Sequence, residues 1–314
     1  MKKLVTTLIA STLLVASSMA AAADKEIAVI VKTANSDFWQ NVRKGSESAI
    51  GGLKGYTATF QGGASDTDLA GQVALVENAI NRKVAGIVLA PSDPDALTPA
   101  LKKAWEAKIP VVLIDSAASD AAKAYYQSFL ATDNKTAGEM SAKTLIDKVG
   151  TTGKIAIMSY TAGSGSEIAR VGGFTDYVKK HSKLQIVGPF YSNSQMGTAL
   201  NQTTDVLAAN PDLKGIFGAN EPTAIGMGRA LAQAGKAGKV VAIGFDGNAD
   251  LQGFVKDGTI EAIAVQSAFE MGSLGVKTVA EIISGKKVPA FRDTGVLMVT
   301  KKNIDSPAAK NVLY

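Results

Sequence analysis

The 314-residue sequence contains no cysteine. Disulfides are therefore excluded, and so is the lipid-modified class of exported protein, which is anchored through a cysteine. There is a single histidine, His181, which removes most metal-ion and acid–base chemistry. It sits in Lys179-Lys180-His181-Ser182 and reads as the solvated end of a helix, where the helix dipole favours a cation. Neither sign of charge dominates, with 33 basic against 28 acidic residues. No cluster of Lys and Arg suggests a nucleic-acid surface. Beyond residue 23 no run of 18 uninterrupted apolar residues occurs, so no transmembrane helix is expected there. A Pro/Gly/Ser-rich linker and low-complexity segments are also absent.

Familiar chemical signatures are missing too. The pairs Gly51-Gly52 and Gly172-Gly173 form no dinucleotide fingerprint behind a strand. Gly163-Ser164-Gly165-Ser166 is not a nucleophile elbow, and no histidine lies ahead to serve it. Asp246-x-Asn248-x-Asp250-x-Gln252 starts like a calcium loop. An EF-hand wants Gly at its sixth position and Glu at its twelfth, where Leu251 and Asp257 stand. No metal and no cofactor is expected.

What is present begins at the leader. Lys2 and Lys3 precede an uncharged, mostly apolar run from Leu4 to Val15, then Ser17-Ser18-Met19-Ala20-Ala21-Ala22-Ala23. That order is a secretory signal peptide, too short to span a bilayer, with cleavage expected between Ala20 and Asp24. The expected home is the periplasm of a Gram-negative cell. Removing Lys2 and Lys3 takes the 33 basic residues to 31 and the net charge from +5 to +3. A mature chain of this length is expected to form two domains.

Short apolar runs alternate with amphipathic ones. Strands are expected at 26–31, 57–60, 85–90 and 110–115, then at 154–159, 185–190, 214–218 and 239–245. Helices are expected at 37–53, 67–83, 94–108, 134–149, 166–181, 195–209 and 222–234. Strands alternating with helices predict parallel sheets covered on both faces. Eight or nine strands suit two similar doubly wound α/β lobes better than one domain. The boundary falls near Ala131-Thr132-Asp133-Asn134, where a strand ends and a helix is capped. Residues 301–314 are expected to be a loose end.

In open α/β sheets ligands bind beyond the carboxyl ends of strands. Those places hold Asn35 to Trp39, Pro91 to Asp93, Asp115-Ser116, Tyr160 to Arg170, Ser192 to Gln195, Asn220-Glu221, Phe245-Asp246-Gly247 and Gln266. Aromatics, carboxylates, amides and one Arg suit a neutral polyhydroxy ligand, with ring faces against C–H and polar groups on hydroxyls. On the residues alone, Asp115, Asp246 and Asn220 are equally readable as helix N-caps. Phe38-Trp39 is equally readable as the core-facing start of a helix, and Asn193 and Gln195 as the start of another.

These motifs carry a resemblance over essentially the whole mature chain. Asn35-Ser36-Asp37-Phe38-Trp39, Pro110 to Asp115, Thr132-Asp133-Asn134, Ala162 to Arg170, Phe217 to Glu221 and Ile243 to Gly247 together resemble the periplasmic sugar-binding proteins of ABC transporters, in the ribose, allose and galactose group. The resemblance implies two Rossmann-like lobes, 24–131 with 267–296 and 132–266 with 297–314. It also implies a three-crossing hinge near 131, 266 and 296, and a ligand cleft between the lobes. It implies ligand contacts at Ser36, Phe38, Trp39, Asp115, Arg170, Asn193, Gln195, Asn220, Phe245, Asp246 and Gln266. The partners implied are a monosaccharide or small polyol, an inner-membrane ABC permease and a chemoreceptor, with the protein a monomer, no chemistry on the ligand and no nucleic acid. Departures from the ribose type stand at Ala90, Ser116, Asn193 and Gln195. The second stacking aromatic is lost, which points toward a ligand with less need of two flat faces, such as an acyclic polyol or a ketose. The alternative reading is a periplasmic receptor for a sugar-like signal. A periplasmic carbohydrate enzyme lacks a catalytic set, and a sugar-operon repressor lacks a DNA-binding helix.

Overall fold

A computed structural model describes residues 24–314; the expected leader, 1–23, lies outside the described residues. The elements run β1 (Lys25–Thr33), α1 (Asp37–Gly51), β2 (Tyr56–Gly63), α2 (Leu69–Asn81), β3 (Gly86–Leu89), α3 (Thr98–Glu106), β4 (Val111–Ile114) and β5 (Ser128–Ala131). Then come α4 (Asn134–Val149), β6 (Thr152–Ser159), α5 (Gly165–His181), β7 (Lys183–Tyr191), α6 (Met196–Ala209), β8 (Leu213–Gly218), α7 (Glu221–Gln233) and β9 (Val241–Phe245). The chain closes with α8 (Ala249–Asp257), β10 (Ala262–Gln266), α9 (Ala268–Ile283), β11 (Phe291–Asp293), β12 (Val296–Thr300) and α10 (Pro307–Lys310).

Two six-stranded sheets have the orders β11-β5-β4-β3-β1-β2 and β12-β10-β9-β8-β6-β7. All pairings are parallel except β10–β12, which is antiparallel. The chain passes between sheets three times: between β5 and α4, between β10 and α9, and between β11 and β12. Strand alternation dictates the layers. In β1, Ile27, Val29 and Val31 join one core cluster with α1 and α9, while Ala28 and Ile30 join the cluster under α2 and α3. In β6, Ala156 and Met158 face α6 and α7, and Ile155 and Ile157 face α4 and α5.

Glycine sets the closest helix approaches in both halves. A Cβ on Gly45 of α1 would lie 1.9 Å from the Phe269 carbonyl oxygen of α9, and one on Gly138 of α4 would lie 2.0 Å from the Arg170 carbonyl oxygen of α5. The backbone bearing Arg170 therefore sits where only a hydrogen at residue 138 allows.

One expectation is corrected. Residues 301–314 are not loose. Ser306 caps α10, Ala309 and Ile304 are buried, and Val312 and Leu313 pack on the core beside β8 to β10. The segment has too few apolar positions to show a period. Trp105, on α3, is 50% exposed. The buried stripe of α3 is Ala100, Leu101 and Ala104, and the next position is rotated about 100° away from Ala104.

Candidate functional site

The carboxyl ends of both sheets converge on one cavity of about 390 Å³, within the range of small-molecule sites. At the end of β4 stands Asp115 and at the end of β9 stands Asp246, with φ of 62° and 75°. Left-handed backbone is uncommon outside glycine and is tolerated best by Asp and Asn. Both aspartates continue the ladder from the same place: Asp115 N–H donates to Leu130 O, and Asp246 N–H donates to Ala264 O.

The two carboxylates have different company. Lys32, near the end of β1, is buried and places Nζ 2.9 Å from Asp115 Oδ2. It also donates to Ser116 Oγ at 2.7 Å, and Ser116 donates to Asp115 Oδ2 at 2.7 Å. Asp246 instead accepts from Gln266 Nε2 at 2.8 Å and from the Glu221 N–H at 2.9 Å. Burial pushes Asp246 up to about 6 against the opposing pull of Arg170.

Arg170 is fully buried. Its Nη1 donates to Ala219 O at 2.7 Å, its Nε and Nη2 to Asn134 Oδ1 at 2.9 and 2.7 Å, and Nη2 to Gln266 Oε1 at 3.3 Å. The guanidinium lies 3.6 Å from the Phe245 ring centroid, a cation–π stack that fixes its plane. Asn134 and Gln266 stand at two of the inter-sheet crossings, so Arg170 is tied to both.

Hydrogen bonds span the cleft directly. Phe38 N–H donates to Glu221 Oε1 (3.2 Å), Ser194 Oγ to Asp66 Oδ2 (2.6 Å), Asn248 Nδ2 to Asp37 Oδ2 (3.0 Å) and Lys32 Nζ to Ser166 Oγ (3.4 Å). The lobes are closed on each other. Burial, with Asp246 nearby, raises Glu221 to about 8. Burial also raises Asp66, with Lys32 opposing.

Nine sequence-expected residues line this cavity: Ser36, Phe38, Trp39, Asp115, Arg170, Gln195, Asn220, Asp246 and Gln266. Two do not. Phe245 is wholly buried, forming the floor beneath Arg170. Asn193 stays in the loop after β7, its N–H bonded to Tyr160 O, and is not among the lining residues. The Asp246-x-Asn248-x-Asp250 run diverges: Asn248 caps α8 and Asp250 pairs with Arg229. Sequence reading passed over Lys32 and Asp66, and it held Tyr160, Ser166, Ser194 and Glu221 only as members of strand-end segments, not as ligand contacts; all six line the cavity. Lys32 had a signal, as the one charge near the end of an otherwise apolar strand. Asp66 had none, because its partner Ser194 is 128 positions away.

The wall combines Phe38, Trp39, Met196, Pro222 and Ile225 with these polar groups. That mix can enclose a small polyhydroxy molecule, hydrogen-bonding its rim and covering its C–H faces.

Comparison with known proteins agrees with this geometry. Residues 27–287 match the periplasmic binding protein domain. A solute binding protein of an ABC transporter from Agrobacterium vitis, solved with bound D-fucose, is 71% identical with a TM-score of 0.91, covering 92% of this chain and 100% of that one. A carbohydrate transporter solute binding protein from Agrobacterium radiobacter, in complex with D-arabinose, is 36% identical with a TM-score of 0.88, covering 93% and 100%. The D-allose-binding periplasmic protein of Escherichia coli K12 is 32% identical over 90% of this chain and 94% of its own length.

Proposed function

Because the chain belongs to the periplasmic binding protein family, as a sugar-binding component of an ABC importer, we propose that its closed cavity captures one neutral aldopyranose of the D-fucose kind. The observation that carries this is the cavity itself. It is enclosed between two sheets, with Asp115, Asp246, Arg170, Asn220 and Gln266 around it and Phe38 and Trp39 on its wall. We read the lobes as 24–131 with 267–296 and 132–266 with 297–314. Capture, closure and presentation of the closed form to an inner-membrane permease is the mechanism. Closure requires the sugar to bind the closed state more tightly than the open one, and groups from both sheets supply that difference. Lys32 joins the contact set through Asp115. The protein acts as a monomer, is exported with its leader cleaved between Ala20 and Asp24, and leaves its ligand chemically unchanged.

We favour an aldopyranose over the acyclic polyol or ketose. The 71% identical protein holds D-fucose, and the apolar Met196, Pro222 and Ile225 in the wall suit a methyl substituent. Calorimetry against D-fucose, D-galactose, D-arabinose, D-ribose, D-tagatose and a polyol tests this. D-fucose should bind most tightly. Binding of the polyol alone, or of none of these, would sink the proposal.

A further inference from the structure

Tyr314 is attached to both halves of the molecule. Its N–H donates to Gly247 O at 3.2 Å, and its carbonyl accepts from Gln252 Nε2 at 3.1 Å. These bonds moor its backbone beside α8. Its ring instead packs on the core cluster of Phe38, Trp39 and Met271, under the other sheet. The hydroxyl donates to Glu221 Oε2 at 2.9 Å, while Glu221 Oε1 accepts the Phe38 N–H at 3.2 Å. That N–H is one of the first-turn donors of α1, which have no partner inside their own helix. Glu221 thus caps α1 from across the cleft, and Tyr314 holds the cap in place. Tyr314 is not among the residues lining the cavity.

We propose that Tyr314 is a positioning residue that locks Glu221 onto the N-terminus of α1 and so sets the balance between open and closed cleft. This rests on the sugar-capture reading. Opening would break the Glu221–Phe38 bond and strip the Tyr314 ring from its apolar contacts. A latch outside the cavity changes the fraction of closed-competent protein. Apparent Kd scales with the inverse of that fraction, by one factor for every sugar. A sugar contact would instead weaken different sugars unequally.

The test is calorimetry with D-fucose and D-arabinose on the wild type, Tyr314→Phe and Tyr314→Ala. Amide exchange of the sugar-free proteins is followed over residues 37–40. Tyr314→Phe keeps the packing and loses one hydrogen bond; both sugars should weaken by the same factor, about 3–10-fold. Tyr314→Ala should weaken both by about 10–100-fold, leave their ratio unchanged, and speed exchange in the first turn of α1. Unaltered affinities, or a changed ratio, would overturn the latch while leaving sugar capture intact. If the wild type binds neither sugar, the capture reading fails instead. The exchange arm then decides the latch alone, unchanged rates counting against it.

Discussion

Asp115 and Asp246 occupy matching places in two sheets of identical strand order, each at the end of the fourth strand of its set and each left-handed. Their surroundings differ. A buried lysine neutralises Asp115 at contact distance, whereas Asp246 is held only by amide donors, with no cation in direct contact among the described residues. One backbone device thus serves two electrostatic purposes. Asp115 is settled before any ligand arrives. Each Asp246 oxygen accepts one amide N–H, and its remaining lone pairs can take a ligand hydroxyl. The second sheet should therefore dominate affinity and the first should dominate stability at this site.

The largest effect is expected from breaking the settled side. Lys32→Met leaves Asp115 buried without its cation, and losing one partner of such a pair typically costs about 3–5 kcal/mol. Chemical denaturation should show that loss, with Lys32→Met/Asp115→Asn recovering much of it. A single variant as stable as wild type would mean the carboxylate is not held by the ion pair.

Next come the unsettled side and its partner. Asp246→Ala and Arg170→Ala should each weaken sugar binding by roughly 2–4 kcal/mol, on the order of 30–1000-fold in Kd. Titration showing both within about threefold of wild type would remove the second sheet from the affinity argument.

A smaller effect separates the two tryptophans. Trp39 lines the cavity and Trp105 lies outside it, half exposed. Trp39→Ala should cost about 1–3 kcal/mol of binding. Trp105→Phe should keep the sugar-dependent fluorescence change and Trp39→Phe should abolish most of it. The reverse pattern would misplace the cleft.

Smaller again is a pH effect. Glu221 rises from its ordinary 4.5 to about 8 in the closed fold. Between those values the folded protein holds a proton that the unfolded chain releases. Its contribution is therefore fully present below about pH 4.5 and is lost as pH rises through about 8. Glu221→Gln should flatten the fall in melting temperature between pH 5 and 9. An unchanged slope would place the titration elsewhere. The smallest expected effect is none: EDTA should leave melting temperature and sugar affinity as they were, because Asn248 and Asp250 are already engaged by Leu251 N–H and Arg229. A calcium-reversible drop of several degrees would refute that.

The sequence by itself determined the periodicities. Buried strands such as Ile27 to Val31 and the helix at 134–149 are legible because burial on both sheet faces demands unbroken apolar runs, and helices show their 3.6-residue stripe. Caps and strand ends were legible as positions, which is why Asp115, Asp246 and Asn220 could be singled out without their partners. Pairings across the chain could only be decided in three dimensions. Nothing local links Lys32 to Asp115, Asp66 to Ser194, or Phe38 to Glu221 and Tyr314. Phe245 shows the same limit: its position beside Asp246 is local, but Arg170, 75 residues earlier in the numbering, turns it from wall to floor. A buried charge is stable only where a partner meets it, and that meeting is a property of the closed, packed lobes.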